Sequence, residues 1–597
     1  EVKIPEAFEH RYEEMRSANN TISFIGTAVM AILYGLLGVG VSLFFMLRRK
    51  TLIWRPPLQW SVFIGVAMFL AYLTMISLSW FQYDTSLSSS QFIFQHVLLA
   101  FVNGLLTAAL FFFSAMAAEG LDRQAFPDHI RFWRSWSPTV GASREIMRQT
   151  VFGYLWAFFM IGFVTFFYWI TNTVFRWWSP AENMMDPNIL ALPFPWLLPS
   201  ALSLNAGFWE ECLFRAIPLA GAVLIGKHFR KKGLWIAIAL IFQAVIFGSL
   251  HANYPQQPAY ARIVEMLIPF MLYGLIYIKW GLLPVVVSHF VYDIVLMGMP
   301  LFLLSAPGMW THRALLVIAA LIPLMIPLYR RIRAGSWYGI QAEELNGTFQ
   351  AEEKAIKEEV KTIIPDIPVQ AGRSFPTLAA VAALIVGGGL WFIFTSFEQD
   401  VPKLEIDRDK ALLIADAFME QRYPETDTLG LKPYVRLVSG TGRGALFAWE
   451  HSDRQTFHDL YERTLALNYY EVVYKTFEGD VERRSETVTV TIGRKNDILG
   501  WYHHVPEARP GASLSEAEAR ALAERAIERH YKVKIPDLEA VQVLPEKQKA
   551  RTDWKFIYRD MNAGLREGDV RYIASIAGDA ISGLKTEVHI TESWERE

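Results

Sequence analysis

Six ionisable side chains lie inside three long apolar segments, where a charged group is expensive to bury. In chain order they occur in the runs GFWEECLFR, IFGSLHANY and VVVSHFVYD, and they are Glu210, Glu211, Arg215, His251, His289 and Asp293. Ionisable residues within membrane spans are rare and are functional candidates by default. These six residues are therefore the first candidates for chemistry.

The first of these segments holds two carboxylates with different expected partners. Glu211 and Arg215 are four residues apart, so on a helix they share a face and can pair. Burial makes that pairing nearly obligatory, because an unpaired charge is very costly in an apolar interior. Glu210 points about 100° away from Glu211 around the helix and is free to face a cavity. A carboxylate in that position could take a proton from a water molecule and return it.

The two histidine segments could complete a hydrolytic site. His251 ends an apolar helix with Phe247 one turn earlier on the same face, and Asp293 follows His289 by one turn. A Glu and a His from different helices could polarise one water, while a second His donates hydrogen bonds to the oxyanion of an attacked peptide. A proton- or ion-coupled transporter also buries Glu, His and Asp, so the residues alone leave that class open. Many transporters show internal repeats among their spans, and none is visible here.

Three spaced motifs in this region resemble those of the CPBP family, which comprises the type II CAAX prenyl proteases and the bacteriocin-processing (ABI) proteins. The motifs are Glu210-Glu211-x-x-x-Arg215, Phe247-x-x-x-His251 and His289-x-x-x-Asp293, in the family's order on successive apolar segments. The resemblance covers about 150–330, roughly a third of the chain. It implies a polytopic helical intramembrane endopeptidase.

The resemblance also implies a role for each motif residue. Glu210 and His251 would activate the water, and His289 with its partner would stabilise the oxyanion. Glu211, Arg215 and Phe247 would support the site. The partner of the third-motif histidine is commonly Asn in the family, whereas this chain has Asp293. An ionised Asp cannot donate a hydrogen bond, so Asp293 would have to be protonated or would only orient His289.

Metal dependence is a minor alternative. The family is often labelled a metalloendopeptidase, and two His with two Glu could ligate zinc in principle. The ligands named for this alternative are Glu210, His251 and His289. The HExxH spacing is absent, and the resemblance favours a Glu–His mechanism without a cofactor. Cys212, the chain's one cysteine, is expected to be a small buried residue and not a nucleophile.

Composition divides the 597 residues into a membrane part and a soluble tail. Long apolar runs dominate 20–329, whereas 400–597 has an ordinary soluble composition. The net charge of -2 gives no nucleic-acid footprint. The predicted parts are an N-terminal stub (1–19), N-terminal transmembrane helices (20–149), the protease core (150–329), a polar cytoplasmic linker (330–375), a last transmembrane helix (376–396) and two tail repeats (400–508 and 509–597).

Basic clusters at the ends of apolar runs predict an orientation. They lie at 48–50, 123–148, 227–232 and 329–333, on alternate connections. Because cytoplasmic loops are enriched in Lys and Arg, all four are predicted on the cytoplasmic side of about ten spans. The N-terminal stub and the tail would then lie outside. The sequence thus predicts a multi-pass protein of the bacterial inner membrane with an extracytoplasmic tail.

This orientation raises a geometric question about the site. Glu210 and His251 lie toward the outer half of their spans, whereas His289 lies near the cytoplasmic end, so the helices must tilt or shift in depth for these residues to meet. Residues 189–204 are interrupted by three prolines. They are predicted to form a half-span or re-entrant segment, before a motif helix that begins near Asn205.

The tail contains an internal repeat. Residues 405–423 align without gaps to residues 513–531, and Asp407 and Ser515 stand at matching N-cap positions. Each predicted helix is followed by alternating strands, so the tail is predicted as two helix-plus-antiparallel-sheet units. This order resembles tandem PepSY-type domains, which implies an envelope module that inhibits or regulates proteases. The placement of the tail directly after the last span predicts that it binds or gates substrate.

Together these observations predict an intramembrane endopeptidase acting on a membrane-associated or short peptide substrate. Its expected partners are a peptide or protein substrate and membrane lipid, with no nucleic acid. The sequence indicates no oligomeric state. Two alternatives stay open, which are the transporter and a catalytically idle membrane protein that binds peptides or confers immunity to bacteriocins.

Overall fold

A computed structural model describes most of the chain, in ten segments. Residues 349–376, which form most of the predicted polar linker, lie outside the described residues. The described segments are 6–83, 87–177, 186–254, 256–303, 306–348, 377–395, 403–424, 430–439, 443–463 and 467–596.

The amino-terminal part is a bundle of apolar helices. Within the described ranges, seven helices are long and apolar enough, by length and composition, to cross a membrane. Two further apolar helices, Leu282–Met297 and Ala380–Phe394, are shorter. This confirms the polytopic helical membrane domain. The helices are α1 (Glu6–Met30), α2 (Ser42–Arg48), α3 (Arg55–Ser79), α4 (Ser89–Ala125), α5 (Arg144–Thr173), α6 (Leu197–Glu211), α7 (Ile217–His228), α8 (Lys232–Leu250), α9 (Ala261–Trp280), α10 (Leu282–Met297), α11 (Pro300–Leu303), α12 (Trp310–Ala334) and α13 (Thr377–Phe394).

Two of these helices contain π-helical segments. The segment Ala31–Val41 joins α1 to α2, and Cys212–Ala216 joins α6 to α7, so each pair forms one continuous helix. Short π-helical insertions in α-helices occur frequently at functional sites, because they displace the side chains that follow them. The second insertion lies within the first sequence motif.

The predicted start of the motif helix is wrong. The helix begins at Leu197, not near Asn205, and only a short 3-10 helix, Pro187–Ala191, precedes it. Pro199 is the third helical residue. Proline is tolerated in the first turn, since its missing N–H would have no partner within the helix there. Residues 197–204 are therefore the first two turns of the motif helix.

The connection from α9 to α10 sets the position of His289. Gly281 joins the two helices with φ 83°, a left-handed conformation that glycine adopts without strain. The adjacent end of α9 is fixed by Asp122 of α4, whose carboxylate accepts hydrogen bonds from Tyr277 at 2.7 Å and from His129 at 3.0 Å. His129 in turn bonds the carbonyl oxygen of Ile278 at 3.1 Å. This buried cluster fixes the end of the bundle where α10 begins.

The tail is a single eight-stranded antiparallel sheet made of two four-stranded meanders. The strand order is β1-β2-β3-β4-β8-β7-β6-β5, and the two meanders join where Trp501 and Tyr502 of β4 pair with Leu584 and Gly583 of β8. The strands are β1 (Lys432–Ser439), β2 (Asn468–Lys475), β3 (Thr487–Ile492), β4 (Ile498–His504), β5 (Leu538–Lys547), β6 (Thr552–Asp560), β7 (Asp569–Ala577) and β8 (Ala580–His589).

One helix precedes each meander, as the repeat predicts. The N-cap side chains of Asp407 and Ser515 accept from backbone amides, and Ser515 forms a capping box with Glu518. The units differ between their first two strands, because two helices separate β1 from β2. The tail helices are α14 (Arg408–Arg422), α15 (Arg443–Glu450), α16 (Arg454–Arg463), α17 (Val481–Ser485), α18 (Glu516–Tyr531) and α19 (Glu592–Arg596).

The first tail unit packs directly on the helical bundle. Phe477, just after β2, lies against Trp80 and Tyr83 at the end of α3, with ring centroids 4.2 and 4.3 Å apart. The Nζ of Lys475 donates a hydrogen bond to the carbonyl oxygen of Trp80. Strand β1 also contacts the 3-10 helix that precedes α6. The tail therefore covers the end of the bundle at which the motif helix begins.

Candidate functional site

The imidazole of His289 lies at the centre of a group of carboxylates. Its Nδ1 donates a hydrogen bond to Oε1 of Glu211 at 2.7 Å. Its Nε2 lies 3.7 Å from Oε2 of Glu210 and 3.6 Å from Oδ2 of Asp293. One nitrogen is thus bound within the protein, while the other faces two carboxylates without a hydrogen bond to either.

Glu211 joins His289 to a fully buried arginine. Its second oxygen, Oε2, lies 3.1 Å from Nε of Arg215, and both side chains have no exposed surface. The guanidinium carbon lies over the rings of Phe270, Phe247 and Tyr273, at 4.4, 4.6 and 5.6 Å from the centroids. Because an aromatic face attracts a cation, these rings stabilise the charge of Arg215 together with Glu211.

Close packing between α6 and α10 brings the acids to His289. A Cβ built on Gly207 would lie 3.0 Å from the backbone nitrogen of Phe290 and 3.1 Å from the carbonyl oxygen of Val286. Only a residue without a side chain allows this approach unless α10 shifts. Glu210 and Glu211 follow Gly207 by about one turn, so they reach His289, which adjoins Phe290.

His251 lies beside this group at the end of α8. Its Nδ1 is 2.8 Å from the carbonyl oxygen of Phe247. A carbonyl only accepts, so this bond places the proton on Nδ1 and leaves Nε2 as an acceptor. The ring of Phe247 lies 4.6 Å from that of His251 and 6.2 Å from that of His289. The two histidines therefore flank one aromatic ring.

The first helix holds the backbone around His251. Ser23 Oγ donates to the carbonyl oxygen of Leu250 at 3.1 Å, and Arg16 Nη1 donates to that of Asn253 at 2.8 Å. These contacts join two segments more than two hundred residues apart. No sequence pattern indicated Ser23 or Arg16 as functional residues, because neither forms a motif with a neighbour in the chain.

A second buried polar network lies just beyond His251. The hydroxyl of Tyr168 donates to Glu265 at 2.7 Å and accepts from Arg262 and Gln256 at 3.0 Å each. Arg262 also donates to both oxygens of Glu265, at 2.9 and 2.7 Å. This network was not predicted from the sequence, although Arg262 and Glu265, three residues apart in an apolar segment, were a detectable signal.

The structure places the predicted site residues in one group with one extension. Glu210, Glu211, Arg215, His289 and Asp293 come together through direct ion pairs. The remaining two, Phe247 and His251, adjoin the group through ring contacts, and no direct contact joins His251 to Glu210 in the described part of the chain. Cys212 is fully buried, as expected of a packing residue.

The acid groups do not form a recognised metal centre. Across the described residues, no set of three or more His, Cys, Asp or Glu side chains is arranged to hold a metal ion. Glu210 and Asp293 approach Nε2 of His289 at 3.7 and 3.6 Å. The arrangement is instead that of a histidine with one anchored and one available nitrogen.

Apolar helices around a buried cluster of acids and histidines define a multi-pass membrane protein with a polar intramembrane site. Residues 192–295 match the family model described as Type II CAAX prenyl endopeptidase Rce1-like, so the chain contains a domain of that CAAX-protease family. The match includes all three motifs, and the tail lies outside it. No curated protein and no solved structure gives a match to the chain. The PepSY-like resemblance of the tail stays a prediction.

Proposed function

We propose that the protein is an intramembrane endopeptidase that hydrolyses a peptide bond with a water activated by Glu210 and His251. The substrate would be a membrane-associated or short peptide. The observation that supports this most directly is the state of Glu210. Its Oε2 is buried and accepts no hydrogen bond from any described residue, yet it faces Nε2 of His289 at 3.7 Å. An acid with unused hydrogen-bonding capacity at such a point can act on a water.

In the proposed reaction, Glu210 is the general base. It removes a proton from the water while the water oxygen forms a bond to the carbonyl carbon of the substrate. His251 orients the same water through Nε2, which accepts the second O–H. Glu210 then gives its proton to the leaving nitrogen as the C–N bond breaks. Atoms and charge balance, and Glu210 returns to its starting form.

His289 would stabilise the oxyanion formed by this attack. A ring protonated on both nitrogens donates through Nδ1 to Glu211 and presents Nε2–H to the oxygen of the substrate carbonyl. The ion pair between Glu211 and Arg215 keeps the ring in one orientation. Asp293, at 3.6 Å from Nε2, would position the ring and needs no proton for that role.

A peptidase assay on the full chain in detergent, with a quenched-peptide library, tests the proposal. We expect Glu210→Gln to lower cleavage by about 10²–10⁴-fold, the range for losing a general base, and His251→Ala to lower it comparably. Glu145→Gln is the matched control, because Glu145 is the second residue of α5 and lies 4.0 Å from Arg148, away from the site. Cleavage that survives Glu210→Gln at the wild-type rate would overturn the assignment.

Two further arms separate the alternatives. Chelator should leave the wild-type rate unchanged; loss with chelator and recovery with zinc would keep the site and replace the mechanism by metal-assisted hydrolysis. Proton flux into liposomes without cleavage of any peptide would favour a transporter.

We also infer that the membrane is the bacterial inner membrane and that the tail lies outside the cytoplasm. The buried Cys212 gives a clean background for labelling, because it is the chain's one cysteine. Glu546→Cys in the tail should react with an impermeant maleimide on intact cells, whereas Gly233→Cys at the start of α8 should react only after permeabilisation. The reverse pattern would invert the orientation.

We infer finally that the tail binds or gates the substrate, since it covers the end of the bundle where α6 begins. Phe477→Ala removes a ring packed on Trp80 and should change the substrate preference without changing the amount of folded protein. Tyr502→Ala, at an exposed position in β4, is the control. An unaltered preference in both variants would exclude this role for the interface.

A further inference from the structure

A large cavity lies behind the motif helix and contains none of the polar site residues. Its volume is about 670 Å³, and its walls come from the first helix, α4, α7 and α8. Apolar side chains form most of the surface, including Ile217 on α7 and Phe242 on α8. A cavity of this size is in the range of small-molecule binding sites, and apolar walls suit a hydrocarbon chain.

One part of this cavity is basic. Arg49 lines it, and Arg48 and Lys50 flank Arg49 in the chain. Over the part of the chain that the structure describes, no carboxylate pairs with Arg49, whose guanidinium carbon lies 5.9 Å from the ring of Phe45. A basic residue without an acidic partner beside an apolar cavity suits a ligand with an anionic head and a hydrocarbon tail.

Glycines shape the cavity in two opposite ways. A Cβ built on Gly38 would lie 2.5 Å from Cγ2 of Ile217, so the first helix touches α7 there. A Cβ built on Gly221 has no atom within 4 Å, although Gly221 lines the cavity on α7. Contact at one point and open space one turn further along α7 make a defined groove between helices.

The groove adjoins the motif helix. Tyr34 lines it, is 3% exposed, and packs edge-to-face on Phe214 with centroids 5.6 Å apart. Phe214 lies between Glu211 and Arg215 in the sequence and belongs to the π-helical segment Cys212–Ala216. A ligand in the groove would therefore contact Tyr34, which packs on Phe214. Phe214 lies in the same helix as the Glu211–Arg215 ion pair that holds His289.

We propose that this groove binds one anionic phospholipid, with its phosphate at Arg49 and an acyl chain along α7 and α8. Charge complementarity at Arg49 and the apolar walls identify this occupant. The first helix, α4, α7 and α8 line the groove around the acyl chain, which distinguishes the site from ordinary lipid contact on one helix face. The bound chain stabilises the packing of Tyr34 on Phe214 and so regulates the site; this regulation rests on the proposed peptidase function, whereas the binding does not.

Native mass spectrometry of the full chain, released from nanodiscs, tests the binding. The probes are phosphatidylglycerol and phosphatidylcholine with identical acyl chains. We expect one retained phosphatidylglycerol and little phosphatidylcholine. Arg49→Gln should weaken retention of phosphatidylglycerol by about fivefold, the contribution of one basic residue near an anionic lipid. Arg48→Gln is the matched control, because Arg48 is adjacent but does not line the groove, and it should retain the lipid.

A second pair of variants tests the position of the acyl chain. Gly221→Phe fills the groove and should abolish retention. Gly388→Phe adds the same ring in α13, where a Cβ also has no atom within 4 Å, and should retain the lipid. Equal retention by all variants, or an equal loss in both arginine variants, would overturn the proposal.

The regulatory arm is measured separately. Phosphatidylglycerol should raise the peptidase rate of the wild type and of Arg48→Gln but not of Arg49→Gln. Retention of the lipid without any change in rate would remove the regulation and leave the binding site. Absence of peptidase activity in every lipid would count against the proposed function alone, because the retention measurements do not depend on it.

Discussion

The membrane domain and the tail each contain a buried cluster of one Glu, one His and one Arg, and the two clusters are built differently. In the tail, Glu486 has 2% of its side chain exposed and accepts hydrogen bonds from His503 at 2.8 Å and from two nitrogens of Arg509. Every oxygen of Glu486 is used. The tail cluster has no further acid in contact with His503 among the described residues.

The membrane cluster leaves capacity unused. Glu211 takes the place of Glu486, but Arg215 makes no hydrogen bond to any described residue and is stabilised by its ion pair with Glu211 and by aromatic rings. Glu210 and Asp293 add two acids that face the second nitrogen of His289 at 3.7 and 3.6 Å. A closed cluster stabilises a fold, whereas an open cluster can bind and transform something else. Residue types alone do not separate the two.

The largest expected effect follows from removing the carboxylate of Glu211, which corresponds to Glu486 in the tail cluster. Glu211→Gln leaves the buried charge of Arg215 without its acid, which costs about 3–5 kcal/mol of stability. Thermal unfolding in detergent measures it. Glu210→Gln is the control, since Glu210 Oε2 makes no hydrogen bond and its loss should lower activity and leave the unfolding temperature nearly unchanged. Equal destabilisation by both variants would remove the distinction between supporting and reacting acid.

The matching change in the tail should act on stability alone. Glu486→Gln breaks a buried ion cluster beside the start of β3 and the end of β4 and should cost the tail about 2 kcal/mol. Peptidase activity should stay near the wild-type rate. Hydrogen exchange of β3 and β4 in the full chain measures the local loss. A fall in activity as large as that of Glu210→Gln would show that the tail cluster is more than structural.

The same cluster predicts a pH dependence. Burial alone would raise the pKa of Glu486, but hydrogen bonds from His503 and Arg509 and the charge of Arg509 hold that pKa below its ordinary value. A lowered folded-state pKa stabilises the tail fully above the unfolded pKa of about 4.3, and that stability is lost as the pH falls through the folded value. Exchange corrected for its intrinsic rate should therefore accelerate in acid for the wild type and less so for Glu486→Gln.

A third cluster tests which property distinguishes the reacting site from a structural cluster. That property could be its location in the membrane domain or the unused hydrogen-bonding capacity of its acids. The Tyr168 network lies in the membrane domain, and both oxygens of its acid are used, because Glu265 accepts hydrogen bonds from Tyr168 and Arg262. Tyr168→Phe should cost about 1 kcal/mol and change the peptidase rate far less than Glu210→Gln. Unfolding and peptidase assays on one preparation measure both. A loss of activity without a loss of stability would place Tyr168 in the reaction.

The smallest effect is expected at Asp293. If this residue only positions His289, Asp293→Asn keeps a polar group at the same place and should stay within about tenfold of the wild-type kcat, less than ~1.4 kcal/mol in the barrier. Asp293→Leu has a similar size without polar atoms and should lose more. A dead Asn variant beside an active Leu variant would contradict the positioning role.

Local sequence patterns predicted much of the fold. Long apolar runs indicated the bundle, and the N-caps Asp407 and Ser515 indicated the two helices that open the tail units. These signals involve residues within a few positions of one another. The helices between β1 and β2 interrupt the first unit. Nothing in the aligned repeat indicated them, because the repeat is visible only in the first helix and the last strands of each unit.

Other features had no local signal. The prolines of 189–204 suggested a break, yet Pro199 falls in the first turn of α6, where proline costs little. The π-helical segment Cys212–Ala216 depends on how α6 and α7 pack on their neighbours, so no sequence pattern predicts it. Glu210 lies 3.7 Å from His289, so the two residues meet despite the depth difference predicted from the sequence, and Gly207 allows α6 and α10 to approach closely near them.

The sequence by itself determined which side chains could do chemistry, because ionisable residues in apolar segments need partners and the motif spacings place them on helix faces. Only the tertiary structure decided how they divide the work. It anchored one nitrogen of His289 on Glu211 and left the other facing Glu210 and Asp293. It also set Arg215 against aromatic rings. These contacts join residues from different helices, and a distance between helices is a property of their packing, which no stretch of sequence contains.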